Sequence, residues 1–188
     1  MELTNIPGTN IPDSPGNPSA FSLISPLVTA AGGLSLSQIK VITGLEGSTI
    51  QNWVKRGWVS KPQNKKYDEL QLARILLISA LRDAIRIDQI VQLIEHACLP
   101  PVPGGPPACT EATLFDCLCR VIRPLNMESG VSFEQIRRHV SQISREIGDR
   151  ADVQEQLSTV LEIMVAAHLS SRLQRYADDL TARILSFD

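Results

Sequence analysis

Ser48, Gln51, Asn52 and Lys55 carry the clearest chemical pattern in the chain, at positions i, i+3, i+4 and i+7. On a helix that spacing gathers the side chains on one face. All of them end in hydrogen-bonding groups, and the amides of Gln51 and Asn52 offer a donor beside an acceptor. Adenine shows the complement of that pair, N7 and N6, in the major groove. A cluster of cations follows: Lys55, Arg56, Lys61, Lys65 and Lys66, with Tyr67 after them. Their grouping at one helix end and in one turn-rich stretch suits phosphates better than simple solvation of a surface. The sequence therefore leads us to expect Ser48, Gln51 and Asn52 at base edges of double-stranded DNA. Lys55, Arg56, Lys61, Lys65, Lys66 and Tyr67 are expected at its phosphates.

The elements that must position these residues lie between Leu36 and Trp58. Ser35 caps a first short helix, and Gln38 three residues on completes a capping box. Leu36, Ile39 and Ile42 form its apolar face. Gly44, after Thr43, supplies a left-handed stop. A second helix runs from about Glu46 to Arg56, with Ile50, Trp53 and Val54 inward and Gly57 at its end. Two helices braced across a glycine turn, one with a hydrogen-bonding face, describe a helix-turn-helix. Trp58–Val59–Ser60 is a strand candidate, Lys61–Pro62–Gln63–Asn64 is turn-forming, and Lys65–Lys66–Tyr67 can return as a second strand. The expected product is a basic hairpin wing.

From Thr43 to about Ile94 the chain resembles the DNA-binding domain of MerR-type regulators. The shared features are Thr43–Gly44 in the turn, Thr49–Ile50 in the second helix, its terminal glycine, and a basic residue with Tyr67 closing the wing. A helix with Leu72, Ile78, Leu81 and Arg82 follows, as in those regulators. Gln51 and Asn52 stand where they usually present Arg and Tyr. The string IQNWVKRGWV is more similar still to a family of Firmicute proteins catalogued as domain of unknown function 1836, over roughly residues 21 to 125. The resemblance implies a winged helix-turn-helix and contact with DNA.

Composition bounds the rest. The chain has 188 residues, 43% of them hydrophobic and only 4% aromatic, which suits an aliphatic helical core. Its net charge is −2, yet residues 34 to 74 hold seven Lys or Arg against three Asp or Glu, a local +4, leaving −6 elsewhere. That asymmetry puts a nucleic-acid surface on the helix-turn-helix. No stretch approaches the ~20 apolar residues of a membrane span. Met1–Glu2–Leu3 lacks the positive start of a signal peptide, so a cytoplasmic location is expected.

Along the chain, residues 1–20 are rich in proline and glycine and read as a disordered tail. Residues 21–97 form the expected winged helix-turn-helix domain. Within it, Asp68 with Gln71 caps a helix to about Ala84, and Asp88 caps the next. Residues 98–110, CLPPVPGGPPACT, read as a stiff linker between domains. Residues 111–188 are helical by pattern: Thr110 caps one helix, Ser132 with Gln135 a second, and an unbroken stretch follows from Asp152. Phe133, Ile136, Val140, Ile143 and Ile147 make a three–four stripe. With the apolar final helix, where Val153, Leu157, Val160, Leu161 and Met164 share a broad side with Leu173, Tyr176, Leu180 and Ile184, it suggests a homodimer joined through this region. The fold class expected is mainly α, a MerR-like winged helix-turn-helix with a small hairpin wing and an all-helical C-terminal region.

The four cysteines fall between positions 98 and 119, with His96 beside them. There is no CxxC, and Cys117 and Cys119 at i, i+2 point to nearly opposite sides of a helix. Tetrahedral sites want closely spaced turn-borne pairs, so buried thiols are expected rather than metal ligands. No nucleophile motif, P-loop or dinucleotide fingerprint is present, and neither an enzyme nor a cofactor is expected. The function expected is that of a sequence-specific DNA-binding transcriptional regulator of bacterial type. The alternatives are an interaction module that keeps the fold without binding DNA, and an architectural factor that bends DNA.

Overall fold

The structure, a computed structural model, describes residues 5–13, 19–21, 24–100, 103–105, 107–125 and 130–185. It is mainly helical with a small two-stranded antiparallel sheet. The elements are α1 (Ser25–Ala30), β1 (Leu34–Ser35), α2 (Leu36–Thr43), α3 (Gly47–Lys55), β2 (Lys66–Tyr67), α4 (Glu69–Leu81), α5 (Ile87–Cys98), α6 (Glu111–Ile122), α7 (Phe133–Ile147) and α8 (Ala151–Leu185). No helix among the described residues is long and apolar enough to cross a membrane.

The locally encoded starts form as expected. Ser35, Asp68 and Ser132 each accept from the backbone N–H three residues on, and Gln38, Gln71 and Gln135 reach back to complete capping boxes. Thr110 accepts from Thr113 at the start of α6. One cap differs: α5 begins at Ile87, so Asp88 lies inside the first turn. There its carboxylate takes both Nε and Nη2 of Arg86, at 3.1 and 2.6 Å.

Helix α4 organises the packing. Every residue from Leu72 to Ile78 except Arg74 is buried, as are Ala80 and Leu81. A helix apolar on all sides must be covered on all sides, and α4 is touched by α1, α2, α5, α6 and α8. Its cover therefore comes from both sides of the proline-rich stretch, and the buried side chains form one continuous cluster from Ile6 to Leu169. This replaces the expected linker between separate domains. Helix α5 runs to Cys98, Ala108 N donates to Leu99 O at 3.4 Å, and Cys109 is buried. Residues 101, 102 and 106 of that stretch lie outside the described residues.

The expectation of a disordered tail fails for residues 5–13. Asn5 bridges Pro12, Ile6 N donates to Ile11 O at 2.8 Å, and Ile6 is buried. Thr9 supplies the local glue: its hydroxyl donates to Ile6 O and accepts from Ile11 N, each at 3.0 Å. Gly8, at φ +74°, brings the turn so close to α4 that an added Cβ would lie 2.5 Å from Leu76 O. Asp13 then chelates Arg123, the residue that follows α6, through both oxygens, at 3.0 and 2.9 Å. Composition argued against order because it counts apolar surface; here hydrogen bonds and two ion-paired side chains hold a short hairpin in place. Residues 1–4 and 14–18 of the expected tail lie outside the described residues.

The C-terminal helices fold onto the same core. Ile136, Val140 and Ile143 of α7 are buried, and α7 packs on α6 and α8. Of that stripe only Phe133 stands in solvent, at 76% exposed. Helix α8 runs unbroken for 35 residues, about 50 Å at 1.5 Å per residue.

Candidate functional site

The site begins with the turn between α2 and α3. Gly44 takes φ +70° and its N–H closes on Lys40 O at 2.8 Å. Thr43 stiffens the turn from inside: its hydroxyl donates to Ile39 O at 2.8 Å and accepts from Leu45 N at 3.2 Å. Asn10 of the N-terminal hairpin covers it from outside, with its N–H on Ile42 O at 2.8 Å and its amide against Gly44. Nothing in the sequence near Gly44 signals that contact, because it joins residues more than thirty positions apart.

Helix α3 is held by one face. Ile50 and Trp53 are buried and Val54 is partly so. At its end Gly57 turns the chain at φ +77°, and Trp58 N returns to Trp53 O at 3.0 Å. The opposite face leaves Ser48, Gln51, Asn52 and Lys55 exposed together. Among the described residues, none of these side chains makes a hydrogen bond or ion pair. The acid nearest to them in sequence, Glu46, pairs with Lys40 at 3.5 Å. Arg56 lays its guanidinium over the Trp58 ring, 5.1 Å from the centroid, which fixes one more cation at the end of α3.

The wing differs from expectation. Trp58–Ser60 is not a strand: Trp58 is half-buried, Val59 is buried, and the chain passes under α3 without a ladder. The partner of β2 is β1, far upstream, with Leu34 opposite Tyr67 and Ser35 opposite Lys66. Asn64 and Lys65 form the tip of a tight turn at φ +50° and +61°, closed by Lys66 N on Gln63 O at 2.8 Å. Two successive positive φ values mark the primed turn that Asn tolerates and Lys rarely adopts.

These placements sort the expected phosphate contacts. Lys55, Lys61 and Lys65 are exposed and, among the described residues, have no ion pair. Lys66 is exposed at its stem but donates its ammonium to Ala31 O. Tyr67 is buried at 3% exposure, where it packs under the sheet; its expected place at a phosphate is corrected. The amphipathic alternation that exposes Lys66 necessarily turns Tyr67 inward.

Sequence reading also missed the brace behind this surface. Buried Gln71 does more than complete a capping box. Its Oε1 accepts from Asp68 N, while its Nε2 feeds Ser60 O, Ser60 Oγ and Lys61 O at 2.9 to 3.0 Å. Arg74 holds the next stretch, chelating Glu111 of α6 with Nη1 reaching Trp58 O at 3.4 Å. Its guanidinium is the one charged group within the buried run of α4.

The fold and site together define a mainly helical protein with an exposed hydrogen-bonding face on α3 and a separate exposed turn that carries lysines. Residues 29–100 match the family described as Domain of unknown function (DUF1836). The match spans the end of α1 through α5, a narrower stretch than the 21 to 125 expected, and stops before the helices that complete the core. No curated protein and no solved structure matches the chain.

Proposed function

We propose that this protein binds double-stranded DNA through α3 and acts as a sequence-specific transcriptional regulator with a MerR-like winged helix-turn-helix. The observation that carries the reading is the face of α3. Four hydrogen-bonding side chains at helical spacing stand exposed and unengaged, while the opposite face anchors the helix in the core. Amides and a hydroxyl in that position suit base edges. Lys55, Arg56, Lys61 and Lys65 are exposed cations and suit phosphates.

A regulator of this kind reads paired half-sites as a dimer. The α7 stripe first considered for that role is used up inside the chain, but the end of α8 is not. Leu173, Tyr176, Leu180 and Ile184 are 58, 64, 40 and 72% exposed. At 3.6 residues per turn they continue the stripe of Leu161, Val165 and Leu169, which is buried in the first part of α8. The broad side expected of α8 is therefore covered by the core as far as Ser171 and stands in solvent beyond it. We assign the exposed part to pairing with another copy of the chain.

Salt dependence tests the DNA reading. Each neutralised phosphate contributes about −0.9 to the slope of log affinity against log salt. Lys65→Ala should flatten the slope by about 0.9, and Lys66→Ala by less, because its ammonium is already engaged. Affinity that does not vary with salt would reject phosphate contact, and an unchanged slope in Lys65→Ala would reject the wing's part in it.

A further inference from the structure

We propose that Cys98 and Cys109 form a reversible intramolecular disulfide when a peroxide oxidises the protein, tying the end of α5 to the start of α6. Ten residues separate them in sequence, yet the backbone brings the two ends together. Ala108 N donates to Leu99 O at 3.4 Å, which sets Cys98 and Cys109 as the flanking pair. Cys109 Sγ donates to Ala97 O at 3.4 Å, next to the Cys98 amide. Cys98 is half-exposed and Cys109 is buried. Both are free thiols.

That division of exposure assigns the order of events. The Cys98 sulfur, as thiolate, attacks one peroxide oxygen; the O–O bond breaks, hydroxide leaves and takes up a proton, and Cys98 becomes a sulfenic acid. The Cys109 sulfur then attacks the Cys98 sulfur, the S–O bond breaks, and a second water leaves with the Cys109 proton. Two thiols and one hydrogen peroxide thus give one disulfide and two waters. The neighbouring Cys109 thiol, and then burial, hold the Cys98 thiol protonated above its ordinary range. The first step is therefore slow at neutral pH and accelerates as pH rises. Cys117 and Cys119 take no part: both are buried within α6, two residues apart and so turned to opposite sides. This inference does not rest on the reading of α3.

The test uses the full chain. The native protein is treated with hydrogen peroxide, its remaining thiols are blocked with N-ethylmaleimide in denaturant, and it is cleaved after glutamate. Cleavage at Glu95 and Glu111 releases His96–Glu111, which holds Cys98 and Cys109 and no other cysteine. The expected product is this peptide lighter by two hydrogens and free of maleimide, formed faster at alkaline pH and restored by dithiothreitol. Cys117 and Cys119 carry maleimide. Cys109→Ser should instead leave Cys98 oxygenated and unbridged; since mapping of the wild-type chain decides by itself, a poorly folded variant does not weaken the test. A peptide bearing two maleimides, a singly oxygenated peptide, or a bridge to another cysteine or another chain would each overturn the proposal.

Discussion

His168 should make the fold sensitive to mild acid. It lies in the buried part of α8, and its Nδ1–H faces Ala80 O of α4 at 3.4 Å, which fixes the neutral tautomer. Burial lowers its pKa from 6.5 to about 4; the Ala80 carbonyl opposes that shift, and the charges of Arg172 and Arg175 add to it more weakly. Above 6.5 the ring is neutral in both folded and unfolded chains, so its full contribution is present. As pH falls below 6.5 the unfolded chain takes up a proton that the folded chain refuses, and stability drops until the folded ring also titrates near 4. At 1.36 kcal/mol per pH unit the complete loss is about 3 kcal/mol, with about 2 kcal/mol of it reached by about pH 5. Urea titrations at about pH 7, 6 and 5 should show a midpoint falling by about 1 M for a slope of ~2 kcal/mol/M. His168→Gln keeps a donor for Ala80 O and removes the titration. Its stability should vary less over that window by the amount just given, whatever its offset from wild type. Equal pH dependence of the two proteins would refute a buried neutral His168.

Other perturbations read the packing. Gly57 and Gly8 have nearly the same φ, +77° and +74°, but an added Cβ at Gly57 meets open space while at Gly8 it meets α4 backbone. Gly57→Ala should cost about 1 kcal/mol, the strain of a left-handed residue, and Gly8→Ala clearly more; equal denaturation midpoints would contradict the docked hairpin. Leu180→Glu, on the exposed face of α8, should leave the helix content unchanged while light scattering shows a dimer turned to monomer and the thermal midpoint loses its dependence on protein concentration. A wild-type chain that scatters as a monomer at all concentrations would remove that role for α8.

What could be read from the sequence was local. Ser35 with Gln38, Asp68 with Gln71, Ser132 with Gln135, and the left-handed Gly44 all act within one turn, so neighbouring residues suffice to place them. The exposed face of α3 was legible for the same reason: helical period alone puts Ser48, Gln51, Asn52 and Lys55 together. What escaped was long-range. The strand opposite Tyr67 is Leu34, on the far side of two helices, and a closer candidate at Trp58–Ser60 offered the same residue types. The hairpin at residues 5–13 depends on a glycine fitting against Leu76 and on Asp13 meeting Arg123 across the chain. The run LQLARILLISAL in α4 did carry a usable signal. Apolar residues on every side of a helix require cover from more than one direction, which argued against a boundary at the prolines.

The central claim is that the exposed face of α3 reads bases. It is tested most directly by measuring the affinity of wild type, Gln51→Ala, Asn52→Ala and Lys55→Ala for one selected site and one scrambled site at the same salt concentration. Loss of a bidentate amide contact should cost ~1–3 kcal/mol on the selected site and far less on the scrambled one, while Lys55→Ala weakens both by similar factors. Equal losses of the amide variants on both DNAs, or no selected site at all, would contradict the account.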